Sequence, residues 1–169
     1  KQAEEASIND RNLLNTILAN LPIEVYVKDR KSRFVFMNAT TMRTQNMIKP
    51  EDYIDKTDFD LMPHEQERAA IFFAIEQQII KTGKPNLNYE HSGLDLNGKQ
   101  KWILDSKLPL HDAQGNITGL VGINMDITER KQAENALLQK HILLQTLIDT
   151  IPDAIFAIDR EGRYVVSNK

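Results

Sequence analysis

Asp105 and Lys107 stand two residues apart inside an apolar stretch, Trp102-Ile103-Leu104-Asp105-Ser106-Lys107-Leu108. In an extended strand that spacing turns both side chains to one face. There a carboxylate and an ammonium can neutralise each other, or can hold a small polar molecule between them. The same alternation, carried through the neighbouring segments, sets Tyr89, His91, Ile103, Asp105, Lys107 and Asn124 on one side. It sets Leu94, Leu96, Trp102, Leu104, Leu108, Val121, Ile123, Met125 and Ile127 on the other. Alternation alone assigns the first, more polar set to solvent.

Other chemistries find less support. The chain has no cysteine, which removes a thiolate nucleophile, a Cys-ligated zinc or iron–sulfur site, a disulfide scaffold and a flavin–cysteinyl adduct. No two of His64, His91, His111 and His141 have a metal-binding spacing, so no metal is expected. No strand–turn–helix context presents a serine nucleophile. Asn97-Gly98 and Gly119-Leu120-Val121-Gly122 are too sparse to cradle phosphates. No catalytic residue is assigned, and no enzyme activity is expected of these 169 residues.

The elements that must position these groups follow from periodicity. Gln2 to Leu21 has a helical apolar stripe, Leu13, Leu14, Ile17, Leu18 and Leu21, stopped by Pro22. A hairpin follows, with Val25 and Val27 in its first strand, a polar turn at Asp29-Arg30-Lys31-Ser32, and Phe34–Met37 in its second. The pattern predicts a short helix from Asn38 to Thr44, an irregular stretch over 50–60, and a long helix from Pro63 to Lys81. Three longer strands, 87–96, 101–111 and 117–127, precede a final helix. The order predicts an α+β domain on a five-stranded antiparallel sheet. A 41% apolar, 27% charged composition is globular, and a net charge of −3 gives no electrostatic case for nucleic acid or an anionic membrane. No apolar run approaches the length of a membrane span. Because the chain opens on Lys1 rather than Met, we read it as an internal piece of a longer protein.

Residues 1–38 also lie over 131–168 without a gap, 14 of 38 positions being identical. Lys1-Gln2-Ala3-Glu4 recurs as Lys131-Gln132-Ala133-Glu134, Pro22 as Pro152, Asp29-Arg30 as Asp159-Arg160, and Asn38 as Asn168. This repetition predicts a tandem array with a unit of about 130 residues. Four segments follow: a flanking helix at 1–21, a body at 22–128, a linker helix at 129–151, and the truncated start of a second unit at 152–169. Residues 152–169 would lack partners, and are expected to stay disordered or to pair with an exposed edge.

The body resembles a PAS domain with its adjoining C-terminal motif. The resemblance rests on Leu21-Pro22, Asp29, Phe34-Val35-Phe36-Met37-Asn38, Asp58-Phe59-Asp60-Leu61-Met62-Pro63, Asn97-Gly98, Pro109-Leu110-His111-Asp112, and above all Asp126-Ile127-Thr128-Glu129-Arg130. Ser32 departs from the family, which often has glycine there; Gly162 restores it in the second copy. The resemblance implies a long helix over the concave face of the sheet and flanking signalling helices. It reverses the solvent assignment above, turning Tyr89, His91, Ile103, Asp105, Lys107 and Asn124 toward a cavity under the long helix. Asn124 matches the position where flavin-binding relatives place a glutamine. Buried there, Asp105 and Lys107 either form an internal ion pair or bind a small polar ligand. The ligand stays unknown: a noncovalent flavin ranks below a small polar molecule, and haem is disfavoured because residues 66–80 hold no histidine. Asp126 and Thr128 match the segment that fixes the outgoing signalling helix, with Thr128 as its N-cap.

By the same resemblance, the expected role is sensory: a ligand-binding and dimerising module, cytoplasmic, feeding a histidine kinase or cyclic-dinucleotide enzyme in the same chain. The other reading is a ligand-free spacer. A homodimer is expected through the flanking helices and the outer sheet face. Its seam would follow either Ala133, Leu137, Lys140, Leu144, Leu147 and Ile151, or Leu137, His141, Leu144, Ile148 and Ile151.

Overall fold

The computed structural model describes residues 2–95, 97–153 and 155–167. They fall into two compact units, 1–127 and 128–169. The first begins with α1 (Gln2–Asn20), β1 (Glu24–Asp29), β2 (Phe34–Met37) and α2 (Ala39–Thr44). It continues through α3 (Asp58–Leu61), α4 (Gln66–Thr82), β3 (Asn86–Leu94), β4 (Gln100–His111) and β5 (Ile117–Asp126). The five strands form one antiparallel sheet in the order β2-β1-β5-β4-β3. The expected α+β architecture is thus the observed one.

Local chemistry explains most boundaries. Asn38 caps α2 by accepting from the Thr41 amide at 2.9 Å, and its own amide ties back to the Leu18 and Ile23 carbonyls. Gly83, at φ 68°, ends α4 in the left-handed conformation that glycine adopts at least cost. The long helix does not start at Pro63. Asp58–Leu61 makes a separate short helix, a turn brings the Glu65 amide to the Met62 carbonyl, and α4 begins at Gln66. His64 therefore lies ahead of the helix rather than in its first turn.

Tyr26, Phe34, Met37, Tyr53, Ile80 and Leu120 form the core between the sheet and the helices. Register places Tyr26 opposite Gly122, and a Cβ at Gly122 would come within 2.1 Å of the Tyr26 ring. That glycine lets the ring lie flat across β5. Of the residues assigned to the outer face, Ile127 is buried, its amide bonded to the Trp102 carbonyl, and Met125 is exposed. Leu96 lies outside the described residues.

The second unit holds α5 (Thr128–Thr150), β6 (Phe156–Ile158) and β7 (Tyr164–Ser167). Helix α5 takes Thr128 as its first residue. The strands that were expected to stay disordered or seek a foreign edge instead pair with each other. Their register is that of β1–β2 moved by 130 residues: Tyr26↔Met37, Val27↔Phe36 and Lys28↔Phe34 become Phe156↔Ser167, Ala157↔Val166 and Ile158↔Tyr164. The turn repeats too, with Arg33 on Asp29 and Arg163 on Asp159, and with Ser32 (φ 61°) and Gly162 (φ 81°) at the same left-handed position.

Candidate ligand-binding site

Strand alternation on β1, β4 and β5 sends three rows of side chains to the concave face. Glu24, Asn124 and Asp105 form the first, Tyr26, Gly122 and Lys107 the second, and Lys28, Leu120 and Pro109 the third. Side chains of the first two rows, with α3 and the start of α4, border a cavity of about 380 Å³; the third row lies outside its lining. His91, Ile103, Asp105, Lys107 and Asn124 lie on its wall. Tyr89 does not: β3 is an edge strand with an irregular register between Asn86 and Tyr89, and the ring is 43% exposed, 5.6 Å from that of His91. Leu94, assigned to the outer face, borders the cavity where β3 ends.

Behind the wall lies a network of charge. Lys28 is 1% exposed and Glu76 is 0% exposed. Lys28 Nζ reaches Glu76 Oε1 at 2.8 Å and also bonds Asp58. Lys107, 3% exposed, lies 3.4 Å from the same Glu76 oxygen and 3.3 Å from Asp105 Oδ2, and donates to the Tyr26 hydroxyl. Asn124, with its amide nitrogen toward Asp105, donates to Asp105 Oδ1 at 3.3 Å. Glu76 Oε2 is buried with no hydrogen-bond partner among the described residues. Both ammonium groups also face rings: Lys28 lies 4.2 Å from the Phe34 centroid, and Lys107 lies 5.1 Å from those of Tyr26 and Phe72.

These contacts set protonation states. Burial alone would lower the Lys107 pKa, but the hydrogen bond to the Tyr26 hydroxyl and attraction to Asp105 and Glu76 outweigh it and hold the ammonium charged. Burial pushes the Tyr26 phenol up, so it stays neutral. Burial also raises the Glu24 carboxyl, against hydrogen bonds to Thr44 and Asn124. His91 is lowered by burial and then by the nearby Arg68, which favours the neutral imidazole. Asp126 pairs with Lys101 at 2.9 Å, so the last residue of β5 is tied to a side chain of the cavity wall.

Lys28, Glu76, Asp58, Tyr26 and Glu24 were missing from the sequence-based set. The first strand carried a signal: Glu24, Tyr26 and Lys28 alternate with Val25 and Val27, and the polar set faces inward as on β4. Glu76 carried a weaker one, as a lone acid beside Phe72, Phe73, Ile79 and Ile80.

A five-stranded antiparallel sheet enclosing a polar cavity under a long helix suits one family, and residues 18–132 match its PAS fold. The chain belongs to the PAS fold family. A diguanylate cyclase of Vibrio cholerae is 28% identical over 138 residues, spanning 80% of this chain and 42% of that protein. The sensor protein FixL of Bradyrhizobium diazoefficiens is 32% identical over 102 residues, 60% of this chain and 19% of that protein. The chain therefore spans less than half the length of these relatives. Among solved structures, VqmA bound to DPO superposes with a TM-score of 0.60 at 26% identity, covering 66% of this chain and 55% of that one. The PAS domain of Bordetella pertussis BvgS does so at 0.61 and 18%, covering 82% and 98%. This PAS fold is a sensory module that relatives attach to different signalling effectors. Among the described residues no three His, Cys, Asp or Glu could hold a metal ion, and no helix is long and apolar enough to cross a membrane.

Proposed function

We propose that residues 22–128 sense a small polar molecule in the cavity and pass its presence through α5 to an effector domain of a longer chain, a histidine kinase or cyclic-dinucleotide enzyme. The observation that carries this reading is the 380 Å³ cavity lined by charged side chains that the fold has buried. Such groups are costly to keep unless they do something a hydrophobic core cannot. The VqmA structure, which holds DPO, supports a small-molecule role. The repeated hairpin register supports a second PAS unit beginning near residue 152. Apolar residues exposed along α5, among them Leu137, Leu144 and Leu147, support a homodimer seam there.

The spacer reading also has an observation in its favour. Asp105 and Lys107 are paired to each other at 3.3 Å, as a ligand-free structural pair would be. Native mass spectrometry of the 169-residue chain separates the two. A dimer carrying a reproducible extra mass per subunit, lost in an Asp105→Ala, Lys107→Ala variant that still melts cooperatively, supports sensing. A bare polypeptide mass, with a double variant that merely collapses, supports the spacer.

A further inference from the structure

The wall of the cavity is asymmetric in charge, and the asymmetry points to a class of ligand. Five carboxylates line it, those of Glu24, Asp58, Glu65, Asp95 and Asp105, against three permanent cations, Arg68, Lys101 and Lys107. Each cation is already held by an acid: Arg68 by Glu65 at 2.8 Å, Lys101 by Asp126 at 2.9 Å, and Lys107 by Asp105 at 3.3 Å. Asp58 is held from behind by Lys28. Asp95 accepts the backbone amides of its own turn, from Asn97 and Lys99. An entering anion would have to strip a cation from its partner and then face the remaining carboxylates.

Glu24 differs from the others. It forms no ion pair among the described residues; the cation that acts on it is Lys101, which Asp126 already holds at 2.9 Å. Register sets it beside Asn124, and Asn124 beside Asp105, so an acid–amide–acid row crosses β1, β5 and β4 on the cavity floor. Next to that row the wall is apolar, with Met37, Leu61 and Ile103. We infer that the cavity takes a small organic cation, an ammonium on a compact apolar body, with the ammonium seated on the Glu24–Asn124–Asp105 row. The bound cation supplies the counter-charge that Glu24 lacks, and the apolar body fills the space beside it. This rests on the sensory reading above and names its ligand class.

Three probes with one benzene ring and different charge test it: benzylamine, benzyl alcohol and benzoate, each titrated into the full chain. Binding is followed through the Asn124 side-chain amide resonance and through thermal unfolding. Benzylamine is expected to move that resonance and raise the melting temperature. Glu24→Gln is expected to weaken its binding about tenfold or more, as loss of one partner of a buried charged pair does. Glu67→Gln, exposed on α4 and off the cavity wall, should leave binding unchanged. Thermal unfolding of each variant without ligand shows that it folds. Benzoate or benzyl alcohol binding as well as the amine overturns the cationic class and leaves the sensory reading standing. No response to any of the three overturns both.

Discussion

Glu76 is the residue on which the interior turns, because one of its oxygens serves both Lys28 and Lys107. Removing one partner of a buried pair is far more costly than replacing the whole pair, since the remaining charge is stranded. Glu76→Ala is therefore expected to destabilise the domain by about 3–5 kcal/mol in urea unfolding. Glu76→Gln, which keeps an acceptor oxygen, should cost less. Glu24 behaves in the opposite sense. Its folded-state pKa is raised above the ordinary 4.5, chiefly by burial. Its contribution to stability is thus fully present below that value and is lost as pH rises through the folded pKa, leaving a penalty at neutral pH. Glu24→Gln should melt higher than the parent at pH about 7, with the gap closing toward pH about 4. Asp105 and Lys107 were legible because their i,i+2 spacing interrupts an apolar strand. Lys28 was not, because a lysine in a short hairpin strand reads as solvent-facing until its partners Asp58 on α3 and Glu76 on α4 are known.

At the level of elements, the sheet follows its apolar alternation closely, and the errors collect where one residue type serves two geometries. Proline suits the first turn of a helix and equally the second position of a tight turn. Pro63 takes the turn, because Asp58–Leu61 has already formed a helix whose Thr57 and Asp60 close its start. Tyr89 is off the wall for a different reason: alternation gives its face, opposite Asp105, but not that this edge-strand position lies beyond the cavity lining. Gly122 is the element-level position where a small change has a large effect. Gly122→Ala pushes a methyl group into the Tyr26 ring, so the ring must leave the floor and release Lys107. An overpacking cost of about 1–3 kcal/mol is expected in chemical denaturation, with a changed near-UV signal from Tyr26.

Across the whole molecule, the two units share a frame and differ in content. The hairpin register and turn recur after 130 residues, yet Tyr26 and Lys28 become Phe156 and Ile158. The repetition was legible in sequence because turn residues and apolar phase are local; what surrounds residues 152–167 is not. If α5 supplies the dimer seam, Leu144→Asp should turn the dimer into a monomer in light scattering while the 22–128 domain still unfolds cooperatively, since a buried aspartate disfavours only the helix pairing. The sealed position of Lys28 and Lys107 has a practical consequence as well. An amine-reactive reagent can modify exposed lysines at once, but these two only when the helix layer lifts from the sheet. Their labelling rate is thus a clock for the breathing of the domain. A cavity occupant that closes the fold would slow that clock without altering the labelling of any surface lysine.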